Sequence, residues 1–150
     1  MANSIAGIAS VMISVHGRED VCRRTQEQVA RRFGISPTLF VNGEHPPGKA
    51  NHLANVRAAL EGALAQGAEH VLFLEDDLDF ADSFPSAVQA ACASAYAIVA
   101  LYAPGLRYYP LAVQRQIARG RCVPGLYPVV NRREWFGSQA LVLRRSAAQT

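Results

Sequence analysis

The chain has 150 residues, with fifteen lysines and arginines, twelve acidic residues and a formal net charge of +3. Half of the residues are hydrophobic and 18% are charged, with no low-complexity or like-charge run. That composition excludes extensive disorder and allows one domain, residues 1–150, that buries roughly two thirds of its unfolded surface.

From Ile8 to Val15 the run IASVMISV is short, apolar and partly β-branched, as a strand covered on both faces would be. It stops at His16-Gly17-Arg18. A helix is predicted over Glu19–Phe33, because Val21, Thr25, Val29 and Phe33 recur every four residues, acids stand at its start and Gly34 follows its end. The strand TLFV then runs into the turn signal Asn42-Gly43. Leu53, Val56, Leu60, Ala63 and Leu64 mark the inward stripe of a second helix, closed by Gly67. HVLFL is the third strand. Ser83 is expected to cap a helix through Val88 and Ala91, and AIVALY makes a fourth strand.

Past Pro104 the periodicity fails, except for a short helix around Val113–Ala118. GSQALVL restores a strand, and Ser146 reads as the cap of a helix whose body the chain does not reach, so a truncated C-terminal side is expected. Strand and helix alternating through short links predict an α/β fold: a mostly parallel sheet with helices on both faces.

The arginines fall in scattered pairs, among them Arg23-Arg24, Arg132-Arg133 and Arg144-Arg145, and Lys49 is the only lysine. Without interleaved aromatics, most are read as solvated and no nucleic-acid partner is expected. A smaller anionic partner such as a nucleoside diphosphate remains compatible. Cys22, Cys92 and Cys122 form no CxxC pair and are read as core or loop filler in a reducing compartment. The apolar N-terminus lacks a basic leader and is too short to span a bilayer. A cytoplasmic protein without a transmembrane segment is expected.

The third strand ends in four carboxylates within five residues, Glu75, Asp76, Asp77 and Asp79. Such a cluster repels itself, and burying it is costly unless protons, basic groups or a metal offset it. In an open α/β sheet, ligands gather at the carboxyl ends of the strands, where this cluster and His16–Arg18 both fall. If the backbone stays extended, Glu75, Asp77 and Asp79 face one side and Asp76 the other. Two carboxylates at i and i+2 suit Mg²⁺ or Mn²⁺, both of which prefer oxygen ligands. Asp79 and Asp82 also suit a solvated loop and the cap of the next helix.

FLEDDLDFADSF resembles the DxD-type element, in its EDD form, of nucleotide-sugar-dependent glycosyltransferases with the GT-A fold. The helix NHLANVRAALEGALAQG before it and WFGSQALVLRRSAA near the end match that fold's element order. The resemblance implies a Rossmann-like GT-A sandwich, with 1–103 as the nucleotide-sugar-binding half and 104–150 as a partial acceptor-side half. It implies that Asp77, helped by Glu75, binds Mn²⁺ or Mg²⁺ bridging the diphosphate of a nucleoside-diphosphate sugar donor, and that Glu75 and Asp76 contact the ribose or the metal's water shell. His16, Gly17 and Arg18 would hold the base and ribose, and Lys49, Asn51 and Asn55 would lie near the donor. The acceptor would be a sugar or another hydroxyl compound.

An inverting transferase needs a carboxylate base for the attacking hydroxyl. Beyond Asp82 the only acid is Glu134, which equally suits a salt bridge to Arg132 or Arg133. Trp135 and Tyr108-Tyr109 suit either sugar stacking or loop packing. The alternatives are a catalytically incomplete nucleotide-sugar-binding module, and a phosphotransferase of the haloacid dehalogenase type reading Asp77-Leu78-Asp79 as its motif. The second expects its acids after the first strand, not the third.

Overall fold

A computed structural model of the chain describes residues 7–42, 48–101, 109–121, 125 and 139–149. Its elements run β1 (Ile8–Val15), α1 (Glu19–Phe33), β2 (Thr38–Asn42), α2 (Lys49–Ala65), β3 (His70–Glu75), α3 (Phe84–Ala93), β4 (Ile98–Ala100), α4 (Leu111–Ala118), β5 (Ala140–Arg144) and α5 (Arg145–Ala148). The five strands form one sheet in the order β2-β1-β3-β5-β4. β2, β1 and β3 are mutually parallel, while β5 runs antiparallel between β3 and β4. The sheet is therefore mixed but mostly parallel, and it has helices on both faces.

β3 sits at the centre, and its sequence says why. Val71, Leu72, Phe73 and Leu74 are all buried, and period-two alternation sends them in pairs to opposite faces. Leu72 and Leu74 join Met12 against Cys22 and Val29 of α1 and Phe84, Val88 and Ala91 of α3. Val71 and Phe73 join Val11 and Ile13 against Ala59 and Ala63 of α2. Each fully buried large apolar side chain contributes about 1.5–3 kcal/mol. A strand apolar on both faces cannot sit at an edge.

α1 spans the predicted residues. Glu19 and Asp20 lie in its first turn, Arg31 and Arg32 in its last, as the helix dipole favours. Gly34 ends it at φ 67°, with its N–H donating to the Ala30 carbonyl at 2.9 Å. The buried residues are Cys22, Thr25 and Val29, so the inward stripe begins at Cys22 rather than at Val21.

α2 departs further from expectation. Asn51, Asn55, Ala59 and Ala63 are buried at four-residue spacing, whereas Leu53, assigned to the inward stripe, is 56% exposed. Close approach to the sheet selects small side chains here: a Cβ on Gly62 would stand 2.6 Å from the Phe40 ring. The helix turns its small residues inward and leaves Val56 and Leu60 at the margin of the core.

At the amino end of β3, His70 opens the strand, as the run HVLFL predicts, and is buried. One further expectation is corrected there. Ser146 lies inside α5, whose N-cap position is Arg144 and has no side-chain cap bond. Likewise Ser83 holds the N-cap position of α3 without bonding it, and Pro85 in the first turn starts the helix instead. Arg144 and Arg145, read above as solvated, reach helix ends on the two faces of the sheet. The Arg144 guanidinium donates to the Ser94 carbonyl after α3. Arg145 Nη1 donates to the carbonyls of Leu64 and Ala68, at 3.2 and 3.3 Å, at the end of α2.

Candidate functional site

The acidic turn forms where β3 runs out of partners. The Glu75 N–H still donates to the Gln139 carbonyl at 2.8 Å, and then residues 76 and 77 turn. Extended alternation therefore stops one residue into the cluster. The expectation that Glu75, Asp77 and Asp79 share one side is corrected, because the turn brings the adjacent residues Asp76 and Asp77 to one cation instead.

That cation is Arg18. β1 lies beside β3, and its chain leaves through His16 and Gly17 before α1 begins. Gly17 holds φ 91°, a conformation that favours glycine, and the Arg18 N–H closes the turn on the Val15 carbonyl at 3.1 Å. The tight exit points Arg18 across to β3. Its Nη2 stands 3.1 Å from Asp76 Oδ1 and 3.2 Å from Asp77 Oδ2. These are charge-assisted contacts at a half-exposed guanidinium.

The two aspartates differ in setting. The Asp76 side chain is 7% exposed, and its other oxygen, Oδ2, accepts the Ser14 hydroxyl at 2.5 Å. The Thr25 hydroxyl of α1 donates to the Asp76 carbonyl at 2.7 Å. Asp76 is thus buried with both carboxylate oxygens engaged, and its direct access to a ribose is restricted. Asp77 is 52% exposed and has room for a ligand. Glu75 is partly buried.

Asn55 extends this framework to β2. Its amide Nδ2 donates to the Ser14 carbonyl at 2.6 Å and the Phe40 carbonyl at 3.1 Å, fixing the carboxyl ends of β1 and β2 to α2. Asn55, expected to contact the donor, has its amide nitrogen engaged in the wall of the site. Ser14 and Thr25 were not among the expected site residues. Ser14 carried a signal, as one of two serines in an otherwise apolar strand and the one that stands a single residue before its end, beside the rim.

The other acids play local roles. Asp79 Oδ1 accepts the N–H of Phe80 at 3.0 Å, and Asp82 pairs with Arg32 at 2.6 Å, in line with the solvated-loop reading of both. Phe80 packs on Phe33 and Phe84, with ring centroids 6.1 and 4.8 Å away, and pins the acidic loop to α1 and α3. Beyond that loop a cavity of about 180 Å³ is lined by Leu78, Asp79, Phe80, Phe84, Leu101 and Ala140 among others.

His16 faces Glu19, 2.9 Å away, rather than the carboxylates. The N–H groups of Gly17 and of Glu19 itself, with His16 beside them, hold the Glu19 carboxyl below its ordinary value. Burial pushes the Cys22 thiol up, and the neighbouring Asp76 charge adds to it, in line with its reading as core filler.

Among the described residues no group of three or more His, Cys, Asp and Glu side chains is arranged to hold a metal ion. The donor set at the turn is nonetheless all carboxylate oxygen, which suits Mg²⁺ or Mn²⁺. Asp76 Oδ1 and Asp77 Oδ2 already converge on one positively charged atom. Lys49 opens α2, but its side chain lies outside the described part, as do Glu134, Trp135 and Tyr108. No helix among the described residues is long and apolar enough to cross a membrane. No known protein family matches the chain, and no curated protein matches it.

Proposed function

We propose that this chain is the catalytic domain of a metal-dependent glycosyltransferase, transferring a sugar from a nucleoside-diphosphate sugar to a hydroxyl acceptor. One observation carries the reading: an EDD turn at the carboxyl end of the central strand, faced by Arg18 from the adjacent strand, supplies oxygen ligands and a cationic group at one rim. The GT-A resemblance of FLEDDLDF, carried by the same acidic residues, agrees with it.

Asp77, with Glu75 beside it, would hold Mn²⁺ or Mg²⁺, and Asp76 Oδ1 faces the same point. Such an ion, when bound there, would supply Lewis-acid stabilisation to a departing nucleoside diphosphate. The chain's own residues set the stage for it. Ser14, Thr25 and Asn55 lock Asp76 and the ends of β1 and β2, so the Asp76 carboxylate is held in place before the donor arrives. Arg18 supplies positive charge for a phosphate oxygen, and the His16-Gly17 turn leaves exposed backbone beside it. Glu134 is the candidate base that takes the acceptor hydroxyl's proton.

A second reading has its own support: the sequence carries a single acid after Asp82, Glu134, and a nucleotide-sugar-binding module without acceptor chemistry would not need even that one. A thermal-shift panel of nucleoside diphosphates and nucleotide sugars, with and without Mn²⁺, tests the shared premise, because a ligand of the folded state raises the melting temperature by mass action. A metal-dependent rise with one nucleotide supports the proposal. No rise with any donor removes both readings.

A further inference from the structure

The guanidinium of Arg18 stands where a cation serving Asp76 and Asp77 would stand. A single nitrogen contacts one oxygen from each, at 3.1 and 3.2 Å. A divalent ion drawing on the same two oxygens needs them at about 2.0–2.2 Å. An ion set between those two oxygens would take the position that Nη2 fills, and at such separations the like charges of guanidinium and ion repel.

The three side chains are not equally free to yield. Asp76 is 7% exposed and anchored by Ser14 on its far oxygen. Asp77 and Arg18, at 52% and 41% exposed, have solvent to move into. The arginine is the member that can leave with least loss, because water replaces its contacts.

We infer that Arg18 is an exchangeable counter-ion. It neutralises the acidic turn until a divalent cation arrives, gives up the carboxylates to that cation, and is then released at the same rim for an anionic group of the donor. This rests on the proposed nucleotide-sugar function and adds a regulation to it: cation and diphosphate bind with positive coupling, since each favours the state in which Arg18 has left the aspartates.

The test is calorimetric titration of Mn²⁺ alone into the wild-type chain, into Arg18→Gln and into Arg24→Gln. Arg24 is a control that removes an exposed charge from α1 without touching the turn. Arg18→Gln is expected to bind Mn²⁺ about tenfold more tightly than wild type, within the usual range of coupling between sites. Arg24→Gln is expected to match wild type. Equal Mn²⁺ affinity in wild type and Arg18→Gln overturns the exchange while leaving a metal-dependent transferase intact. No Mn²⁺ binding by either chain overturns the exchange and the metal-dependent function together.

A second measurement needs no folded variant. In ¹⁵N spectra of the wild-type chain, the Arg18 side-chain resonances should shift toward those of free arginine as Mg²⁺ saturates the turn. Resonances that stay unchanged at saturation overturn the exchange.

Discussion

At the amino end of β3, Arg144 and Arg145 reach backbone carbonyls; at its carboxyl end, Arg18 reaches two carboxylates. The first pair closes the ends of α3 and α2, groups that lack partners in any helix and stay in place for as long as the protein is folded. The second arrangement sets charge against charge at a half-exposed turn. The same residue type therefore serves architecture at one pole, and at the other, on the proposed function, it occupies a place for which an outside cation would compete. Chain direction explains the division. Three parallel strands deliver their loops to one rim, whereas antiparallel β5 returns Arg144 and Arg145 to the opposite one.

The contrast is broken most severely at Asp76. Asp76→Ala strands the Ser14 hydroxyl and frees Arg18, and because the Arg18 side chain is 41% exposed, the ion-pair share is screened. A loss of about 2–3 kcal/mol in urea unfolding is expected, together with loss of nucleotide binding. A loss below about 0.5 kcal/mol would mean that the carboxylate does not organise the rim.

Glu134→Gln asks whether the rim supports chemistry or binding only. Turnover should fall by roughly 10² or more, the scale of general base catalysis, with donor affinity unchanged. Full activity in the variant puts the base elsewhere. A wild-type chain that binds donor and transfers to no acceptor favours the binding module.

The smallest effect belongs to the opposite pole. Arg145→Ala removes the donor to the Leu64 and Ala68 carbonyls and should cost about 1 kcal/mol of stability, leaving nucleotide affinity as it was. A weakened donor site in that variant would show that the two poles are not independent.

Much of this architecture was legible in the sequence where local signals agreed. The apolar runs of β1 and β3 and the acid-to-base gradient along α1, ended by Gly34, put those elements where they are found. α2 was misread because its inward face is chosen by clearance and hydrogen bonding rather than by hydrophobicity. Asn55 goes inside because two strand carbonyls need a donor, and Leu53 is left outside because Asn51, Asn55, Ala59 and Ala63 fill the inward face. At the site, EDD announced a charge problem and the position of Arg18 after β1 suggested a rim. The bridge itself joins residues 18, 76 and 77, and its register depends on strand order and on a turn after Glu75. Pairings that distant depend on the folded sheet, not on local spacing.

The central claim is that the acidic rim binds a nucleoside diphosphate through a divalent cation held by Asp77. Calorimetry of a nucleoside diphosphate with saturating Mn²⁺, in wild type and in Asp77→Asn, tests it most directly. Because Asp77 is 52% exposed, the variant should keep its stability within about 0.5 kcal/mol. The account predicts that Mn²⁺ strengthens binding in wild type and has no such effect in Asp77→Asn; equal metal-assisted affinity in the two chains would contradict it.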